Sequence, residues 1–166
     1  MKKRKNSALF LTRGAIIAAL YVVLTYLSSL LGLSSGVIQL RISEALCILP
    51  IFFPEAVPGL YVGCIISNII AGANPFDIIF GSLATLLGAI GARLLRKLPD
   101  KLMWIATLPT IVANALIVPP VLIFAYGATD AYWFIVLTVF IGEVVCAGIV
   151  GYLSYFALKK SGFKEK

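Results

Sequence analysis

The sequence predicts an all-α membrane protein: one domain over residues 1–166 that crosses the bilayer six times, with both termini cytoplasmic. Three observations predict it. The first is composition. Hydrophobic residues make up 61% of the chain and charged ones 13%, whereas a soluble domain is about half apolar and a quarter charged. A water-soluble fold of this size cannot hide so much apolar surface, and so little polarity excludes disorder. The second is length. At roughly 20 residues per spanning helix, the chain with its turns and tails has room for about five to seven spans. The third is the placement of the basic residues, which selects six.

The first span covers about residues 7–33 and ends at the polar turn Ser34-Ser35-Gly36. Its Lys/Arg prelude resembles a signal peptide, but the apolar stretch is long enough to span and lacks a small-x-small cleavage site, so an uncleaved helix is expected. The second span, about 39–53, is short, carries Pro50 and stops at Pro54. Pro54 and Pro58 mark a tight turn, because proline limits helix continuation. The third covers about 56–71 and ends in Gly72-Ala73-Asn74-Pro75; the fourth covers about 76–95 and breaks at Leu98-Pro99-Asp100. The fifth, about 102–126, contains Pro109, Pro119 and Pro120 and is expected to kink. The sixth covers about 131–158 after the turn at Gly127 to Asp130.

Lys2, Lys3, Arg4, Lys5 and Arg13 open the chain, Arg93, Arg96, Lys97 and Lys101 lie in its middle, and Lys159, Lys160, Lys164 and Lys166 close it. In a six-span chain with its N-terminus inside, every one of these clusters is cytoplasmic, as the positive-inside rule requires. Five or seven spans place the C-terminal lysines outside. The net charge of +7 therefore reads as topology and not as a nucleic-acid surface. Arg41 alone falls at the outer end.

Ionisable groups inside a membrane are costly and mark functional sites by default. Gln39, Arg41 and Glu44 fall at the outer end of the second span, Asn68 near the outer end of the third, and Asp77 at the outer start of the fourth. Asn114 and Glu143 fall near the middle of the fifth and sixth, and Tyr126, Tyr132 and Trp133 surround the outer end beside Asp130. The polar groups thus converge on the outer half. A channel needs polar lining through its depth, so an outward-facing pocket with an apolar floor fits better. An Arg41–Glu44 ion pair, three residues apart on one face, is the structural alternative to a ligand role, and an interfacial belt is the alternative for the aromatics. Glu143 has no basic residue at its depth, so it is neutral, paired with Asn114, or waiting for a ligand donor.

Small residues add a packing signal. Gly14 and Ala18, and Ala15 and Ala19, are four apart on the first helix, and Gly81, Thr85, Gly88 and Ala92 line another face. Close backbone approach at such residues supplies packing energy in lipid, and the face of the first helix leaves room for docking on another membrane subunit. Cys47, Cys64 and Cys146 lie in apolar stretches and are expected to be core residues without disulfide or metal spacing. No nucleophile–base pair points to an enzyme, no metal or cofactor is expected, and no phosphate loop supplies energy.

The runs Ile38-Gln39-Leu40-Arg41-Ile42-Ser43-Glu44-Ala45-Leu46 and Gly59-Leu60-Tyr61-Val62-Gly63-Cys64, then Asn68 and Asp77 to Thr85, resemble the QueT family. The resemblance covers about Thr12 to Leu158. It implies a substrate-binding component of an energy-coupling factor transporter. Such a component binds a deazaguanine precursor of queuosine, such as the aminomethyl compound or queuine, from outside. It also implies docking on a membrane coupling protein energised by two cytoplasmic ATPases, with Ala15 and Ala19, and Ala18 adjacent, matching the family's docking face. One carboxylate, Glu44 or Glu143, can accept the N–H and amino group on one edge of a deazaguanine. Asp77 suits a cationic substituent, Gln39, Asn68 and Asn114 suit the remaining ring edge, and Tyr126 or Trp133 can stack on the base. Two other readings stay open: an autonomous secondary carrier of a nucleobase-like solute, and a non-transporting assembly subunit.

Overall fold

In the computed structural model, which describes residues 2–33 and 40–163, the chain is a helical bundle with no strand among the described residues. The first helix, α1 (Lys2–Leu30), runs uninterrupted. A 3-10 helix, Ile42–Ile51, follows, then α2 (Ala56–Ile70) and α3 (Pro75–Leu94). A 3-10 segment, Asp100–Thr107, leads directly into α4 (Leu108–Tyr126). The last stretch is α5 (Tyr132–Glu143), a π-helical segment Val144–Val150, and α6 (Gly151–Lys160) in one continuous run.

Four stretches are long and apolar enough to cross a membrane: Ser7–Leu30, Pro75–Leu94, Asp100–Tyr126 and Tyr132–Lys160. At the positions of the expected second and third spans stand the shorter apolar helices Ile42–Ile51 and Ala56–Ile70, which are not among those four. The second differs from expectation in kind, being 3-10 and not α-helical. Pro50 contributes, since it removes a backbone donor. The sixth differs by its π insertion, while Pro119 and Pro120 lie inside a helix that continues past them.

The 3-10 helix sits at the centre. It is buried on nearly every side, from Ser43 to Ile51 with only Leu46 half-buried. At its start, α1 supplies the partners its first groups need. Ser28 Oγ accepts from Ile42 N at 3.1 Å, and Thr25 Oγ1 donates to Ser43 Oγ at 2.8 Å. At its end, Arg93 of α3 donates to the carbonyls of Pro50 and Ile51, at 2.9 and 3.3 Å. One backbone donor at the start and two carbonyls at the end are thereby satisfied inside the bundle, where backbone away from water needs partners.

Helices α1 and α2 meet at small residues. A Cβ on Gly59 would stand 2.7 Å from the Gly14 carbonyl oxygen, and one on Gly63 2.9 Å from that of Ala18. Gly14 and Ala18 therefore pack inward. Ala15 and Ala19 belong to a different, exposed face of α1, beside Leu11 and Ile16. The small face of α3 is internal throughout, with Gly81, Thr85, Gly88 and Ala92 all buried, and Gly88 lying against Thr110 of α4.

The two ends of the bundle differ in charge. Arg13 pairs with the buried Glu55 at 3.2 Å, and Asp100 pairs with Lys159 and accepts from Tyr155 Oη at 2.7 Å. These contacts gather at the end that also carries Arg93, Arg96, Lys97, Lys101 and Lys160. Arg41, Asn74, Asp77 and Tyr126 come together at the opposite end.

Candidate functional site

The 3-10 geometry of Ile42–Ile51 orders the site by depth. Three residues per turn bring Arg41, Glu44, Cys47 and Pro50 into one row, each about 6 Å below the last. Cys47 Sγ accordingly reaches Glu44 Oε2 at 3.2 Å. Arg41 stands at the top of this row as the N-cap residue, and the polar residues fall into an upper and a lower tier.

The upper tier is built where α3 begins and α4 ends. Asn74 caps α3, accepting from Phe76 N at 3.0 Å with Pro75 at the first helical position. Its own N–H donates to Tyr126 Oη at 2.9 Å, and its amide donates to the Ala125 carbonyl at 3.0 Å. Tyr126 Oη donates to Asp77 Oδ2 at 3.1 Å, and the same oxygen faces Arg41 Nη2 at 3.5 Å. Asn68 Nδ2 donates to the Asp77 carbonyl at 3.4 Å. Arg41, Asn68, Asp77 and Tyr126, with Thr25 and Asp130, line a cavity of about 690 Å³. That volume suits a small organic molecule.

The lower tier is buried and carries two carboxyl groups. Glu44 is 1% exposed. Tyr21 Oη donates to its Oε1, and Thr85 Oγ1 donates to the same oxygen at 3.3 Å. Glu143, 6% exposed, lies within electrostatic reach of Glu44 and near Asn114, whose amide donates to the Thr110 carbonyl at 3.2 Å. Its Oε2 has no partner among the described residues, and neither has Thr110 Oγ1. An unpaired buried polar atom is expensive, so this pair is a place where a donor from outside gains most. Asn114 and Glu143 each lie eight residues, about 12 Å, deeper than Leu122 and Ile135 of the cavity wall.

The sequence-predicted residues divide accordingly. Arg41, Asn68, Asp77 and Tyr126 come together at the cavity; Glu44, Asn114 and Glu143 form the tier beneath it. Trp133 does neither: it is 77% exposed and packs edge-on to Tyr132, in the manner of an interfacial belt. Gln39 lies outside the described residues. The Arg41–Glu44 pair is replaced by Arg41–Asp77, because Glu44 sits one turn deeper and is taken by Tyr21 and Thr85. Asp77 is consequently occupied on the Arg41 and Tyr126 side. Tyr21 and Thr85 were not anticipated as polar partners. The sequence signal for Tyr21 is a phenol placed in mid-span, away from the interfacial belt. Among the described residues, no three metal-ligating side chains of His, Cys, Asp or Glu come together.

Comparison with known proteins places this arrangement in context. A family model described as "QueT transporter" matches residues 11–160. The "Queuosine precursor transporter QueT" of Lactococcus lactis subsp. cremoris strain MG1363 is 36% identical over 91 residues, which is 54% of this chain and 53% of that protein. The matched part is thus about half the length of that relative. No solved structure matches.

Proposed function

The chain belongs to the QueT transporter family, a family of membrane transporters and not of enzymes, and on that premise we propose that it is the substrate-binding subunit of an ATP-driven importer for a queuosine precursor. The observation that carries this reading is the outer cavity of about 690 Å³, walled by Arg41, Asn68, Asp77 and Tyr126, above a buried carboxylate with an open acceptor. A deazaguanine enters from the end away from the basic clusters. A base held in the cavity meets the ring face of Tyr126 and the donor and acceptor of Asn68; Glu143, about 12 Å below the cavity wall, accepts the paired N–H groups of the base edge once the base moves down to it, with Asn114 beside it. Glu44, already held by Tyr21 and Thr85, keeps the tier acidic and in register.

Six crossings with both termini cytoplasmic account for the charge distribution, since the basic end then faces the cytoplasm. Transport needs energy from elsewhere. The exposed Ala15–Ala19 face of α1 is the docking surface for a membrane coupling protein, with Ala18 behind it in the α1–α2 contact, and two cytoplasmic ATPases drive the cycle. The test is paired. Purified protein binds a queuosine precursor in the absence of ATP, and cells take up that precursor only when the coupling protein and ATPases are present. Uptake by the protein alone in liposomes under a proton or sodium gradient contradicts the importer and makes it an autonomous carrier.

A further inference from the structure

A second concave feature lies far from the cavity, on the outside of the bundle near its basic end. It is a groove of about 380 Å³ between α4 with its preceding 3-10 segment and the run from α5 to α6. Trp104, Ile111, Val144, Gly148, Tyr152 and Leu153 define its walls. Two local features keep it open. The π segment Val144–Val150 forms one wall, where an extra residue per turn displaces the helix surface. Gly148 adds no side chain; a Cβ there would meet Ile111 Cδ1 at 3.5 Å and Glu143 O and Val144 Cγ1 at 3.9 Å, all ordinary van der Waals contacts.

The rim of this groove is basic by geometry. In the 3-10 segment Asp100–Thr107, residues three apart eclipse, so Lys101, Trp104 and Thr107 form one row. Trp104 and Thr107 line the groove, which puts Lys101 directly above them. Across the groove, Lys160 lies seven residues from Leu153 on the same face of α6. The contacts of Asp100 with Tyr155 and Lys159 join the two walls there, so their sequence neighbours Lys101 and Lys160 both stand at that end of the groove. Both are exposed. An apolar slot as long as several turns of helix, with Trp104 and Tyr152 at interfacial depth and a lysine on each lip, has the chemistry of one amphiphile.

We infer that this groove is a binding site for an anionic phospholipid: an acyl chain lies along Ile111, Val144 and Gly148, and the headgroup phosphate sits between Lys101 and Lys160. A zwitterionic lipid fills the slot equally well but gains less from the lysines. This inference is independent of the proposed transport cycle and of what the outer cavity binds.

Native mass spectrometry of the purified full chain, incubated with equal amounts of phosphatidylglycerol and phosphatidylcholine, tests it. Phosphatidylglycerol adducts are expected to outlast phosphatidylcholine adducts, with about a fivefold preference per lysine. Lys101→Gln together with Lys160→Gln, both at exposed positions, is expected to erase the preference while leaving weak binding of both lipids. Gly148→Leu is expected to reduce the adducts of both lipids, with circular dichroism confirming that helicity is kept. Equal retention of the two lipids overturns the inference, as does a phosphatidylglycerol preference unchanged by the double lysine variant. Crosslinking of Leu153→Cys to another membrane polypeptide in native membranes also overturns it, since the groove is then a protein interface.

Discussion

Glu44 and Glu143 are both buried carboxylates in the same acidic tier, yet their surroundings give them opposite duties. Glu44 is held by Tyr21, Thr85 and Cys47, so its loss orphans a buried phenol. Glu44→Leu is expected to lower stability by about 1–3 kcal/mol, read as a drop in the thermal unfolding midpoint in detergent. Glu143 has an open Oε2. Glu143→Gln is expected to leave the unfolding midpoint unchanged or raised while weakening precursor binding by about tenfold to a hundredfold, the worth of a hydrogen bond to a charged group. The mid-span depth of Glu143 was legible in the sequence, because a hydropathy pattern and two flanking turns fix where along a span a residue lies; Glu44, expected at the outer end beside Arg41, instead lies a turn deeper among Tyr21, Thr85 and Cys47. The partners of neither acid were legible. Arg41 and Asp77 are 36 positions apart, and only the relative height and rotation of two packed helices decides that they meet.

At the scale of elements, the small residues of α1 serve two faces. Gly59→Leu drives a side chain into the Gly14 carbonyl and should separate α1 from α2, at a cost of about 1–3 kcal/mol visible in thermal unfolding. Ala15→Leu with Ala19→Leu projects from an exposed face. It is expected to spare both stability and precursor binding and to abolish uptake in cells that contain the coupling protein. The spacing of four announced both faces, since Gly14/Ala18 and Ala15/Ala19 are each one helical turn apart, but it could not say which turns inward. The 3-10 helix was illegible for a different reason. In an α-helix every third residue steps back by about 60°, which would carry Arg41 and Pro50 to opposite sides. Only the tighter coil aligns Arg41, Glu44, Cys47 and Pro50, and nothing local in Ile42–Ile51 except Pro50 favours it. The capping groups that hold it, Thr25, Ser28 and Arg93, come from other helices.

Over the whole molecule, one end is basic and the other carries the cavity, and this polarity was the most legible property of the chain. It follows from where lysines and arginines fall between apolar runs, which does not depend on how the helices pack. In a background with Cys47, Cys64 and Cys146 replaced, Asp130→Cys should react with a membrane-impermeant maleimide in intact cells, and Lys97→Cys only after permeabilisation. Labelling in the reverse order contradicts the orientation. The central claim is that the outer cavity captures a queuosine precursor without an energy source. Calorimetric titration of the purified protein with aminomethyl-deazaguanine, queuine and guanine, in the absence of ATP, tests it most directly. Saturable one-to-one binding of a deazaguanine precursor, in preference to guanine, is expected. Absence of binding to every precursor, or binding that appears only when the ATPases and ATP are supplied, contradicts it.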